Sequence, residues 1–197
     1  MPIEVRYYPV ELRVNRQEGE PPQIKGHAAV FNKLSEELWG FREKVAPGAF
    51  TKTLKKADVR ALFNHDPNFV LGRNKAKTLT LQEDENGLAF SVTPPDTQWA
   101  RDLMVSMERG DISQCSFGFQ TVKDSWDNTD PKDIIRTLEE VELFDVSVVT
   151  YPAYPQAKAQ VRTAKEVFDS HAAALRAHEQ QLKIEQARAR RARHILL

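Results

Sequence analysis

Three short strings in this chain each set one reactive side chain among apolar, strand-like neighbours. They are Phe63-Asn64-His65-Asp66, Ser113-Gln114-Cys115-Ser116-Phe117-Gly118-Phe119, and Leu143-Phe144-Asp145-Val146-Ser147-Val148-Val149-Thr150. His65 is a candidate general base, since an imidazole can take a hydroxyl proton near neutral pH. Ser116 is a candidate nucleophile, and Asp145 a carboxylate able to orient a histidine. Base, hydroxyl and carboxylate are the three parts of a serine-nucleophile relay.

Taken singly, each has a plainer reading: a polar residue at a strand end, a serine on a solvated strand face, a carboxylate answering an amide or an arginine. Strand alternation sharpens the second string. Ile112, Gln114, Ser116 and Gly118 share one face, and Ser113, Cys115, Phe117 and Phe119 the other. The two phenylalanines point to a core and take Cys115 with them. Ser116 then faces a cleft, beside a glycine that leaves room for a substrate backbone. Cys115 and Ser113 are the rival nucleophiles, and both carry the core-facing parity. Asp145 lies in a run that reads as a buried strand, where a carboxylate needs a partner. Glu140 and Glu142 are its alternatives, in a more polar stretch. Of the other histidines, His27 lies in a strand with no obvious partner, and His171, His178 and His194 fall in the C-terminal part.

The totals restrict the remaining classes. The chain has 197 residues, 41% hydrophobic and 28% charged, enough for one good core with an arm left over. Lys+Arg and Asp+Glu are 28 each, so no global basic field points to nucleic acid as the main ligand. A single cysteine excludes an intrachain disulfide framework and suits a reducing compartment. No apolar leader opens the sequence and no run reaches membrane-spanning length, as in a cytoplasmic protein. Gly-x-Ser-x-Gly, P-loop, Gly-x-Gly-x-x-Gly and His-Glu-x-x-His motifs are all missing. Scattered histidines with one cysteine speak against a structural zinc site, and nothing calls for a cofactor.

The elements that must position these residues are predicted as follows. Residues 3–14 alternate as a half-buried strand interrupted near Pro9, and Ile24–Phe31 is the next strand. Pro47–Lys56 reads as a short helix with Phe50 and Leu54 on one face. Val59–Phe63 is a short strand running into His65. Leu79–Leu81 and Leu88–Val92 form a hairpin through Asn86-Gly87. Thr97–Gly110 is a helix capped by Thr97, with Ala100, Leu103, Met104 and Met107 inward. Ile112–Val122 and Ile134–Thr150 are strands joined by a polar loop, Lys123–Asp133, and Pro152-Ala153-Tyr154-Pro155 ends the last one.

From about Thr163 the character changes: no Gly or Pro follows, and Ala, Glu, Gln, Lys and Arg dominate. Phe168, Leu175 and Leu182 recur every seven residues, a thin apolar seam too weak for a coiled coil. Charge segregates along it, ending in Arg188-Ala189-Arg190-Arg191-Ala192-Arg193. The division predicted is a β-rich domain over residues 1–160 and a helical, basic tail over 161–197. Such a tail can bind nucleic acid or an acidic protein segment, or stay solvated.

Together the strings resemble the head maturation (prohead) serine proteases of tailed bacteriophages. The matching pieces are Gly26-His27-Ala28-Ala29-Val30-Phe31, Phe41-Arg42-Glu43-Lys44-Val45-Ala46-Pro47-Gly48-Ala49-Phe50, Phe63-Asn64-His65-Asp66, Leu71-Gly72-Arg73, Ser116-Phe117-Gly118-Phe119, and Asp145 through Thr150 with its Pro-Ala-Tyr-Pro ending. They run in order through residues 3–160. The resemblance implies an α+β, β-dominated fold akin to the herpesvirus assembly proteases: a mostly antiparallel β-barrel with helices around it, followed by the helical tail. It implies endoproteolysis inside an immature capsid in the host cytoplasm, removing scaffold segments from the major capsid protein and cutting the enzyme itself. His65 and Ser116 match the family's histidine and serine. Asp145 stands where family members often carry glutamate. Dimerisation activates related viral enzymes. Arg73 or Arg136 is a candidate contributor to the site beside backbone oxyanion donors. A non-catalytic assembly protein with the same fold is the alternative.

Overall fold

The computed structural model describes residues 3–8, 12–151 and 158–195, with the backbone alone for 158–163 and 187–195. The predicted break at Pro9, the Pro-Ala-Tyr-Pro ending and the side chains of the 188–193 arginine cluster lie outside the described residues. Among the described residues ten strands form two sheets, with three α-helices beside them. One sheet runs β1 (Glu4–Tyr8), β9 (Gln114–Asp127), β10 (Ile135–Val149), β5 (Arg60–Phe63), β6 (Asp66–Arg73), with β4 (Arg42–Val45) also on β10. The other runs β2 (Arg13–Asn15), β3 (Gln23–Val30), β8 (Gly87–Val92), β7 (Leu79–Glu83).

Among the described residues no closed barrel forms, contrary to the expectation. The reason lies in β10, whose 15 residues carry β9 on one side and two short strands in succession on the other. Ile135–Leu138 pairs with β4 and Asp145–Val148 with β5, both in parallel. The long connections into β10 permit parallel pairing, which a tight turn could not. β1 and β6 are left as the two ends of an open sheet.

Apolar alternation on both sheets feeds one core. Ile24, Leu88, Phe90 and Val92 from the second sheet share a buried cluster with Phe117, Phe119, Leu143, Val146 and Val148 from the first. Phe117 stacks on Phe119 at 5.0 Å and meets the edge of Phe50 at 5.7 Å. Each such ring, buried, contributes about 1.5–3 kcal/mol. Phe50 leads into α1 (Thr51–Lys56), which begins later than predicted because Gly48 sits in the left-handed region (φ 88°) and holds Pro47–Phe50 as a turn.

β4 and β6 escaped the sequence reading. Arg42-Glu43-Lys44-Val45 shows one apolar residue in four. Asp66-Pro67-Asn68 opens a strand whose pairing with β5 is interrupted by bulges. The loop predicted at Lys123–Asp133 starts only after Asp127, since Lys123–Asp127 continue the ladder with β10. A buried ion network explains the charged β4. Glu43 accepts from Arg6 (2.9 Å) and Arg136 (2.9 Å), and Arg136 also binds Glu4 (2.7 Å) and Asp124 (2.6 Å). Helix α2 (Gln98–Glu108) buries the four residues expected of it. Helix α3 (Lys158–Ile195) lays its first described turns on the first sheet: Phe168 stacks on Phe41, and His171 stacks on Trp126 at 4.1 Å. Farther along, Leu175, Leu182 and Ile184 are exposed.

Candidate active site

The site is built on one face of the β9–β10 ladder. Three alternate rungs pair Gln114 with Val149, Ser116 with Ser147, and Gly118 with Asp145. Directly opposed residues share a face, so Cys115, Phe117, Val146 and Val148 occupy the other, core side. A bulge makes this possible. Leu143 pairs with Phe119 in the core, and strict alternation would carry Asp145 there too. One extra residue on β10 between Leu143 and Asp145 reverses the parity. Thr53 of α1 accepts the Leu143 amide at the approach to the bulge (3.0 Å).

His65 reaches this face from the turn between β5 and β6. Asn64 (φ 53°) and His65 (φ 57°) are both left-handed, the pattern of a type I′ hairpin, and asparagine and histidine tolerate it better than most. Asn64 fastens the turn to the end of β10. Its amide donates to the Val148 carbonyl (2.8 Å), its Oδ1 accepts from the Thr150 amide (2.9 Å), and its Nδ2 donates to Thr150 Oγ1 (3.2 Å). His65 Nδ1 then lies 2.6 Å from Asp145 Oδ1. The buried Ser147 hydroxyl donates to that same oxygen at 2.6 Å.

An ionised carboxylate only accepts, so the Nδ1 proton belongs on the imidazole and the Nε2 lone pair is the ring's free basic site. His65 Nε2 is buried and has no hydrogen-bond partner among the described residues. The Asp145 carboxylate fills the space that Gly118 leaves open: a Cβ at Gly118 would stand 2.3 Å from Asp145 Oδ2. That corrects the expectation that the glycine makes room for a substrate backbone. Ser116, two residues along on the same face, does not line an open cleft as expected: it is 1% exposed, because β1 covers it and its hydroxyl donates to the Arg6 carbonyl at 2.9 Å. The structure thus brings His65 and Asp145 into direct contact and seats Ser116 beside them with its hydroxyl turned toward β1.

The sequence model of the caudovirus prohead serine proteases matches residues 9–171. The chain belongs to this family. It is a serine endopeptidase of phage capsid maturation. No curated protein matches the chain. Among solved structures, the bacteriophage T4 capsid assembly protease is similar at 13% identity over 74% of this chain and 98% of that one, with a TM-score of 0.47.

The rival residues of the protease have other places. Cys115 is buried, and burial pushes its thiol far above the usual range, which keeps it protonated and inert. Ser113 is exposed, contrary to the core-facing parity expected of it, because it precedes β9 and the strand alternation does not extend to it. Glu140 pairs with Lys52 Nζ (2.5 Å), while Glu142 points to solvent. Arg73 forks onto Asp58, whose pKa falls to about 2 chiefly through that bond. Arg136 is locked in the buried network. Burial alone would lower its pKa, but Glu43 and Glu4 outweigh this and raise it. His27 does have a partner, Asp84 Oδ2 at 2.8 Å, which the strand reading missed because Asp84 sits 57 residues away in the β7–β8 hairpin.

Ser147 and Asn64 were not singled out from sequence. Ser147 carried a usable signal, since it shares a strand face with Asp145 two residues on. The tolerance of asparagine for positive φ could have marked Asn64. Among the described residues no group of three or more His, Cys, Asp or Glu side chains could hold a metal ion, and no helix is long and apolar enough to cross a membrane.

Proposed function

We propose that Ser116 is the nucleophile of this protease, His65 its general base and then acid, and Asp145 the carboxylate that orients the imidazole. The observation that carries this reading is the state of the His65 ring: Nδ1 held on Asp145 at 2.6 Å, Nε2 buried and unbonded among the described residues. A base so held needs a proton source on its open side; the next rung on that face carries two hydroxyls, Ser116 and Ser147, and Ser147 is already committed to Asp145. Ser116 gives up its bond to the Arg6 carbonyl, rotates about Cα–Cβ and donates to Nε2. A neutral hydrogen bond nets about 0.5–1.5 kcal/mol, so this rotation costs roughly one factor of ten in population. Because Ser116 is 1% exposed, a peptide carbonyl reaches it only after the side chains above it part.

As Ser116 Oγ bonds to the carbonyl carbon, its proton passes to Nε2 and the carbonyl electrons move to oxygen. Collapse expels the amine, which takes the proton from His65, leaving an acyl-enzyme. A water repeats the sequence and restores the serine. Asp145, with Ser147 on the same oxygen, holds the tautomer and offsets the imidazolium charge.

The substrate in this reading is the major capsid protein carrying its scaffold segment, cut inside the immature capsid, together with the protease itself. Residues 1–160 form the protease domain, and the basic tail 161–197 docks the scaffold segment. Ser116→Ala and His65→Ala proteins, expressed with the capsid precursor, fold and co-assemble but leave the precursor uncut. A fluorophosphonate reagent labels the wild type at Ser116 and neither variant. Cutting by Ser116→Ala at the normal rate sinks the assignment, and no cutting or labelling by the wild type favours the non-catalytic alternative. Binding to DNA that falls steeply with salt, with none to the precursor, reassigns the tail.

A further inference from the structure

Two buried polar side-chain atoms have no hydrogen-bond partner among the described residues, His65 Nε2 and Gln114 Oε1. The first is the proposed base. The second is unused by the relay, yet it stands on the same face of the same ladder, two residues from Ser116. Side chains two residues apart on a strand stand about 7 Å apart along it, within the span of a glutamine and a bound peptide. Ser116 is therefore flanked by Gln114 on one side and by the Gly118–Asp145 rung, with the His65 contact, on the other. Val149, which faces Gln114 across the ladder, is apolar and buried and has no donor side chain to offer. Folded chains rarely leave a buried carbonyl oxygen unpaired without a use for it.

We propose that Gln114 is a substrate-binding residue of this protease: its carboxamide oxygen accepts a main-chain N–H from the extended peptide segment lying across Ser116. This rests on Ser116 being the nucleophile. An acceptor, and not a donor, is what the site leaves open, and a peptide substrate supplies an N–H at almost every residue. The contact is to main chain, so it holds the segment in register for attack and carries no preference for substrate side chains.

Gln114→Met keeps the length and removes the acceptor. With a peptide spanning the capsid-precursor junction, kcat/KM falls about tenfold, the loss of one neutral hydrogen bond. The rate of labelling by a small fluorophosphonate, which has no N–H, stays within about twofold. Thermal stability does not fall, because an apolar group replaces an unpaired one. In a series of peptides N-methylated one residue at a time, one position costs the wild type about tenfold and costs Gln114→Met nothing further. The proposal is overturned by unchanged peptide cleavage in Gln114→Met. It is overturned equally by a parallel drop in fluorophosphonate labelling, which would make Gln114 an oxyanion donor, or by a loss of stability matching the loss of rate, which would make it structural. Labelling that persists in Ser116→Ala would instead signal failure of the nucleophile assignment.

Discussion

Replacing Gly118 by alanine tests the proposed relay at the point where its geometry is tightest. The added Cβ would stand 2.3 Å from Asp145 Oδ2 and 3.3 Å from its Cγ. Ordinary carbon–oxygen contact needs about 1 Å more than that first distance, and the nearest group able to give way is the carboxylate itself. Asp145 is held to His65 at 2.6 Å and to Ser147 at 2.6 Å. A shift of about 1 Å stretches the His65 contact to about 3.6 Å, where no hydrogen bond remains. Misplacing one reacting group by that much costs about 10²-fold in rate. The upper bound is about 10⁴, the scale of neutralising the acid of a serine protease triad. Overpacking also lowers stability by about 1–3 kcal/mol, which leaves a folded protein on which rates can be measured. The assay is kcat for cleavage of the capsid-precursor junction, with circular dichroism to confirm folding. The low-field proton resonance of a His–Asp pair reports the bond directly, and it disappears in Gly118→Ala. Adding Gly118→Ala to Asp145→Ala costs at most about twofold more, because the clash partner is already gone. Wild-type kcat in Gly118→Ala, or a full additional loss in the double variant, refutes the reasoning.

Two further outcomes test the surrounding structure. Arg136→Met leaves Glu4, Glu43 and Asp124 without their shared cation and lowers stability by about 3–5 kcal/mol in urea denaturation. Burial on its own would raise the Glu4 pKa, but Arg6 and Arg136 outweigh it and hold it below the usual 4.5. Its stabilising contribution is therefore present above about pH 4.5 and is lost as pH falls through the lower folded value. Arg136→Met flattens that part of the stability–pH curve. Cys115→Ala retains cleavage and fluorophosphonate labelling and loses about 1 kcal/mol of stability, the scale of removing one small buried group. Loss of labelling in Cys115→Ala would reopen the choice of nucleophile.

What the sequence determined by itself was local. Alternation with period two needs only the pleat of a strand, and it separated Ser116 from Cys115, Phe117 and Phe119 without knowledge of any partner. The hairpin expected at Asn86-Gly87 also forms, but not by the positive φ that such a pair favours: neither residue is left-handed, and the turn is held by Asp84, whose Oδ1 accepts from the Asn86 and Gly87 amides. The identity of the proposed base was legible as well, from a histidine at the end of a short apolar strand. Tertiary structure decided the rest. Extending the same alternation along β10 would have sent Asp145 into the core with Leu143. It faces His65 because one extra residue on β10 reverses the parity against β9, and a bulge is a property of two paired strands, invisible in either alone. The charged β4 became a strand because arginines from β1 and β10 neutralise Glu43. The open sheet in place of a barrel follows from β10 pairing with both β4 and β5 along one side. Which residues Gly118 and Gln114 would meet was likewise set by register, which depends on contacts between segments distant in sequence.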